Sequence, residues 1–249
     1  MPRFFADREC FSDGFVIIEG DDVKHISKVL RLRKGDVITV CDKCGMDSEC
    51  VIEEISSARV MARIVSRSRN KAEPKIKLTV YQGLPKGDKM DYIVQKCIEL
   101  GASRIVPVIT KRTLSVPRDC AKKCERWQRI AAEAAKQCGR GVIPLVEPVT
   151  EFCTAITSMN TDALNIMPYE CEHDFTLKRA VRGTDKKEIN IIIGPEGGFD
   201  EAEVDAAREN GFVSVTLGYF ARRLRHRRFV RQLCMRLTTN QFNRKDWEI

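Results

Sequence analysis

From Lys75 to Leu217 short apolar runs alternate with amphipathic ones, and this alternation constrains the fold more than any other feature. Ile76–Gln82, Arg104–Ile109, Ala163–Met167, Ile189–Ile193 and Phe212–Leu217 read as strands, with Leu145–Val149 short and extended. Asp88–Leu100, Pro117–Cys138, Glu151–Met159, Thr176–Arg182 and Asp200–Asn210 read as helices, several closed by a glycine such as Gly101, Gly139 or Gly211. Apolar strands joined by helices predict an α/β domain with a parallel sheet covered on both faces.

The first seventy or so residues read differently. Gly14–Glu19, Asp36–Cys41, Glu49–Glu53 and Val60–Val65 are short runs separated by turn formers, the pattern of a small β-barrel. Asp21–Leu32 reads as a short helix capped by Asp21 or Asp22. Ser66–Pro74 is polar, ends in proline and reads as a linker. The segmentation is therefore a barrel over residues 1–72, an α/β domain over 73–218 and a tail over 219–249.

Composition excludes several classes. Hydrophobic residues make up 43% and charged residues 31%, ordinary for a globular chain. No apolar run reaches the ~18 residues of a membrane span, and the N-terminus lacks the ~7–15 apolar residues of a signal peptide, so a cytoplasmic location is expected. Eleven cysteines, an odd number, fit reduced thiols better than a disulfide scaffold. Three dispersed histidines imply no metal site. The net charge of +8 is concentrated: Gly218–Ile249 holds nine Lys/Arg against two Asp/Glu. It is therefore no argument for a nucleic-acid partner of the remaining chain.

The strongest local motif is Ile191-Ile-Ile-Gly-Pro-Glu-Gly-Gly-Phe199, a buried strand ending in a glycine-rich turn before the acidic helix start Asp200-Glu-Ala-Glu. Glycines around Glu196 permit close approach of a flat ligand, at the strand end where open α/β sheets bind ligands. The acidic residues favour a positive centre such as a sulfonium over a phosphate. The alternative is a capped strand–helix turn. The second motif is Gln82–Gly101, where Lys86, Lys89 and Lys96 either position a phosphate backbone or are solvated. Arg140, in Gln137-Cys-Gly-Arg-Gly141, is open to the same two readings. So is the basic set Arg3, Lys28, Arg31, Arg33 and Lys34: an RNA grip or a solvated face. Cys41-Asp-Lys-Cys44 is a CxxC at a hairpin turn and reads as turn residues.

Taken in order, Arg3-Phe-Phe-Ala, Val29–Asp36, Gly83–Gly101, Gln137–Arg140 and Ile193–Phe199 resemble the RsmE family of 16S ribosomal RNA uridine-N3 methyltransferases, over about residues 3–218. The resemblance implies a PUA-like barrel that grips RNA. It implies next a SPOUT domain with a trefoil knot, an exception to the general rule against knots. It further implies a homodimer with S-adenosylmethionine in the knot loops. By motif match those loops here comprise Met167 and Pro168; Gly194, Pro195, Glu196, Gly197 and Gly198; and Leu217 and Gly218. The partner that the resemblance implies is 16S rRNA or the small ribosomal subunit. Methyl transfer from a sulfonium needs alignment of donor and uracil N3 and an exit for the N3 proton, and the base must be unpaired. No residue is assigned as general base. Two other readings stand beside this one: a SPOUT enzyme acting on another RNA, and a non-catalytic RNA-binding protein that has lost the methyl-donor site.

After Leu217-Gly218 the family continues in a form like LGxRILRxETA, whereas this chain has Tyr219-Phe-Ala-Arg-Arg-Leu-Arg. Codons permitted for Gly218–Phe229, read from the third base of the glycine codon, yield Ile-Leu-Arg-Thr-Glu-Thr-Ala. The hypothesis that follows is a frameshifted tail from about residue 219. Sequencing the gene across Gly218 tests it, since codons incompatible with that frame reject it.

Overall fold

The computed structural model describes residues 1–182 and 184–217. They fall into two units: Met1–Glu73 with Ala135–Ile143, and Pro74–Ala134 with the chain from Pro144 onward. Gly218, where the resemblance puts the last knot loop, and the arginine-rich tail lie outside the described residues.

In the first unit β1 (Arg3–Phe5), β2 (Phe11–Ser12) and β3 (Phe15–Glu19) precede α1 (Asp21–Lys24), which continues as a wider π-type turn over His25–Val29. Then come β4 (Val37–Cys41), β5 (Met46–Ile55) and β6 (Arg59–Arg69). They form one curled sheet in the order β1-β4-β5-β6-β3-β2. Its inward residues, among them Phe4, Val16, Ile38, Val40, Ile52, Val60 and Ala62, make one core, as alternation along each strand requires. This is the PUA-like barrel. Two expectations need correction. The residue before α1 is Gly20, so neither Asp21 nor Asp22 caps it. The polar run Ser66–Arg69 is strand, not linker, because it pairs with Met46–Glu49 of β5.

The second unit holds β7 (Lys77–Gly83), α2 (Lys89–Glu99), β8 (Arg104–Ile109), α3 (Cys120–Gln137), β9 (Leu145–Val146) and β10 (Thr150–Glu151). It continues with α4 (Phe152–Thr157), β11 (Leu164–Pro168), α5 (Leu177–Val181), β12 (Glu188–Ile193), α6 (Glu201–Glu209) and β13 (Val213–Val215). The last turn of α3 belongs to the first unit. All pairings among these strands are parallel, in the order β10-β8-β7-β12-β11-β13, with β9 beside β8.

On one face Tyr81, Val106, Met167 and Ile192 pack with Phe152 and Ile156 of α4 and Val204 and Ala207 of α6. Their neighbours Leu78, Val80, Ile105, Ile191 and Ile193 point the other way and are also buried, so the sheet is covered on both faces. The polar break in β12 is paired: Asn190 donates to Asn165 across β11 at 2.8 Å. A one-residue slip would strand both amides, so the pair fixes register.

The connections reverse at β7 and β12. From β7 the chain runs through α2 to β8 on one side, and from β12 through α6 to β13 on the other. Adjacent strands whose connections diverge leave a crevice at their carboxyl ends. Nearby, the chain after β11 encloses the end of β13. Tyr169 N–H donates to Val215, Thr216 N–H to Phe175, and Leu177 N–H to Thr216. Residues 169–177 thus hold the Val215–Thr216 segment from both sides.

Candidate functional site

The crevice between β7 and β12 is floored by a close approach of Gly83 to Pro195. A Cβ on Gly83 would lie 2.7 Å from Pro195 N and Cδ. A Cβ on Gly194 would lie 3.0 Å from the carbonyl carbon of Gly198, because the turn folds back on itself. Gly198 N–H donates to Pro195 at 3.0 Å. Gly198 has φ +69°, and a side chain there would also strike the Glu170 carboxylate. The glycines thus serve two close approaches of backbone to backbone, which leave the turn's outer rim open: Glu196 and Gly197 are exposed, Gly194 and Pro195 buried.

Three basic side chains hold this turn. Lys89 pairs with Glu196, whose carboxylate also accepts the Lys86 N–H. Burial raises the Glu196 pKa, but Lys89 and the two backbone N–H groups outweigh it and hold the carboxyl below its usual range. Lys111 pairs with Asp200 at 2.9 Å, and this is the main cause of the lowered Asp200 pKa. Lys111 N–H donates to Glu203 at 2.8 Å, and Arg112 Nη1 donates to the Gly197 carbonyl at 2.9 Å. Asp200 and Glu203 complete a capping box at the start of α6. Glu196, Asp200 and Glu203 are therefore paired, while Glu201 is exposed, so unmatched negative charge is a weaker ground for a sulfonium than the sequence suggests.

Met167 and Pro168 end β11, Met167 fully buried and Pro168 partly so, and Leu217 follows the β13 terminus. Gly218 lies outside the described residues. The described part of the candidate donor site thus gathers at the carboxyl ends of β7, β11, β12 and β13.

The basic residues separate into three groups. Lys28, in the π-type turn, and Arg31, Arg33 and Lys34, after it, are all exposed. Lys86 is exposed, while Lys89 is committed to Glu196 and Lys96 to Glu99 at 2.6 Å. Arg3 and Arg140 are corrections. Arg3 makes a two-pronged bond to Asp47, with Nη2 to Oδ2 at 2.9 Å. Arg140 is 4% exposed and its guanidinium lies on Glu73 at 2.8 Å. Both guanidinium groups are spent inside the first unit, because the residues following α3 fold against its carboxylates.

Sequence reasoning missed Lys111 and Arg112. Both follow strand β8 directly, at its carboxyl end, and that position was the available signal. Cys41 is buried, its thiol donates to the Gly141 carbonyl, and burial pushes its pKa to about 11. Cys44 is exposed. The pair is not poised for redox exchange.

Comparison with known proteins places this geometry. The RNA methyltransferase domain family matches residues 72–226, and the RNA methyltransferase PUA domain family matches residues 18–70. The ribosomal RNA small subunit methyltransferase E of Bacillus subtilis (strain 168) is 34% identical over 208 residues, 81% of each chain. That of Synechocystis is 32% identical over 225 residues, 87% of this chain and 71% of its own. The crystal structure of a ribosomal RNA small subunit methyltransferase E from Neisseria gonorrhoeae, bound to S-adenosyl methionine, superposes with a TM-score of 0.86 at 30% identity, covering 96% of this chain and 97% of that one.

Proposed function

The chain belongs to the ribosomal RNA small subunit methyltransferase E family, and from that premise we propose that it methylates N3 of a uridine in 16S rRNA with S-adenosylmethionine as donor. The observation that carries the proposal is the turn Gly194–Gly198 locked against Gly83 at the divergence of β7 and β12. A backbone-lined cradle there fits a flat ligand, since any side chain at Gly83 or Gly198 would fill space the loops already use. Met167, Pro168, Gly194, Pro195, Glu196, Gly197, Gly198 and Leu217 are the described residues proposed to hold the donor, with Gly218 beyond them.

Bound S-adenosylmethionine supplies an electrophilic methyl on a sulfonium. The protein's own part is positioning. Lys89, Lys111 and Arg112 fix the turn by bonds to Glu196, Asp200 and Gly197, so the cradle does not have to order itself when the donor arrives. Buried Leu84 and Pro195 exclude water from its floor. Lys28, Arg31, Arg33, Lys34 and Lys86, all exposed, are proposed to meet RNA phosphates.

A homodimer is proposed as the working unit, supported by exposed apolar side chains after β8, Leu114 at 73% and Val116 at 46%. Among the described residues no helix is long and apolar enough to cross a membrane. An rRNA substrate supports a cytoplasmic location.

The test is calorimetric titration of S-adenosylmethionine into the full chain, then transfer of labelled methyl to small ribosomal subunits and nucleoside analysis. Saturable binding and N3-methyluridine are expected. Methylation at another atom overturns the uridine assignment, and a folded protein that binds no donor leaves the non-catalytic reading. Because the chain departs from the family after Gly218, donor binding is expected to strengthen when the family's segment is restored there.

A further inference from the structure

The barrel carries a second cavity, of about 340 Å3, lined by Arg8, Phe11, Asp42, Met46, Ser48 and Arg67. It belongs to the first unit alone and none of its residues takes part in the donor site. Its volume lies at the lower end of the ~300–1,000 Å3 typical of small-molecule sites.

A bulge creates it. Ala62 and Ile64 face the barrel interior, so plain alternation would turn Ser66 inward and Arg67 outward. Val65 is an extra residue in β6: Ile64 pairs with Cys50, but Ser66 pairs with Glu49 and Arg67 with Ser48. The alternation inverts beyond that point, as bulges beside sites often do. Arg67 therefore stands on the same side as Ser48, which is 2% exposed, and Cys50, which is fully buried. Phe11 pairs with Val16, another core residue, and so faces the same mouth. The Arg67 guanidinium carbon lies 5.2 Å from the centre of the Phe11 ring. At the rim Arg8 Nε is 3.6 Å from Asp42 Oδ2, with its side chain 72% exposed. Asp42 Oδ1 is taken by the N–H groups of Cys44 and Met46 at 2.8 and 3.0 Å. The Oδ2 atom remains as an acceptor at the rim.

We infer that this mouth is a nucleotide subsite for unpaired RNA, the base stacking at Phe11 and Arg67 and the flanking phosphate meeting Arg8. The inference rests on the RNA methyltransferase reading and adds a place where the substrate strand is gripped. An aromatic ring paired with a guanidinium plane is the surface on which unstacked bases lie. Two arginines against one carboxylate give the mouth a positive balance that suits a phosphodiester. Asp42 Oδ2 and the Ser48 hydroxyl are the groups placed to meet the base edge.

The test is fluorescence anisotropy of a labelled single-stranded decaribonucleotide of mixed sequence, over a salt series. The full chain is compared with Arg67→Gln and Phe11→Leu, the leucine keeping apolar bulk in β2. Phe11→Leu should weaken binding by roughly five- to a hundred-fold with no change in salt slope, the range for loss of one stacked base. Arg67→Gln should weaken it as well, with little change in slope, because Arg67 is assigned to the base and Arg8 to the phosphate. Thermal melting of each variant separates lost binding from lost fold. If the unaltered chain binds the RNA and both folded variants bind it equally well, the subsite is refuted and the methyltransferase reading stands. If the unaltered chain binds no RNA, the subsite is refuted, and methyl transfer to small ribosomal subunits decides the methyltransferase reading separately. Displacement by a polyglutamate peptide at equal charge concentration would assign the mouth to an acidic protein and overturn the inference.

Discussion

Replacing Gly83 by alanine sets one methyl group against the core of the donor cradle. The new Cβ would lie 2.7 Å from both Pro195 N and Pro195 Cδ and 3.0 Å from the Gly194 carbonyl carbon. Carbon atoms settle at about 3.5–4.0 Å, so roughly 1 Å must be absorbed by backbone that has no rotamer to yield. Overpacking of this kind costs about 1–3 kcal/mol, or a melting temperature lower by about 2–10 °C in a chain of this size. The displaced atoms belong to the turn that holds the donor, so S-adenosylmethionine affinity should fall by about five-fold or more. Gly197→Ala is the control for stability alone, because its Cβ would meet Arg112 at ordinary contact distances, 3.4 Å and beyond. Differential scanning compares the two variants, and calorimetry compares Gly83→Ala with the unaltered chain. If Gly83→Ala melts like Gly197→Ala and binds the donor like the unaltered chain, the claim that close contact at Gly83 forms the cradle is wrong.

Three further outcomes follow from the first unit. Glu73→Ala should lower stability by about 1–3 kcal/mol, since it takes a charged acceptor from Arg140 and from the N–H groups of Gly141 and Val142; urea denaturation showing no loss would contradict it. Burial raises the pKa of Asp47, but bonds from Arg3 and Asn70 outweigh it and depress the folded value. Its stabilisation is therefore full above about pH 4 and is lost as pH falls through the lower folded value. Asp47→Asn should flatten that part of the acid unfolding curve, and an unchanged curve argues against the pairing. Under native conditions at pH 8, iodoacetamide should label Cys44 and spare Cys41, whose thiol is buried and titrates near 11; equal labelling on peptide mapping would show that the Cys41 environment is wrongly assigned.

What was legible in the sequence was local. The apolar runs of β7, β8, β11 and β12, the Gly101 and Gly211 stops and the Asp200 cap follow from periodicity and capping, which need only neighbours. The chemistry of the Ile191–Phe199 turn was partly legible. Its glycines marked a close approach, but its acids looked unmatched because Lys111 and Arg112 arrive from a strand far away in sequence. Long-range pairing also hid the role of Arg140, which sequence leaves equally suited to a phosphate or to Glu73. The Val65 bulge was invisible for another reason. Val60–Val65 alternates correctly, and only the pairing with β5 shows where the count slips.

The first unit is discontinuous: Ala135–Ile143 belongs with Met1–Glu73, and Glu73 accepts from the N–H groups of Gly141 and Val142 as well as from Arg140. A ribosome adding about 5–20 residues per second delivers those partners only several seconds after Glu73 itself. Until then the nascent barrel holds a carboxylate without these partners. It waits on a later stretch of chain, so barrel and sheet are made as interleaved, not successive, products. Cutting the gene after Glu73 would freeze the barrel at that incomplete stage, and a soluble barrel fragment would need residues 135–143 supplied in trans or by a redesigned connection.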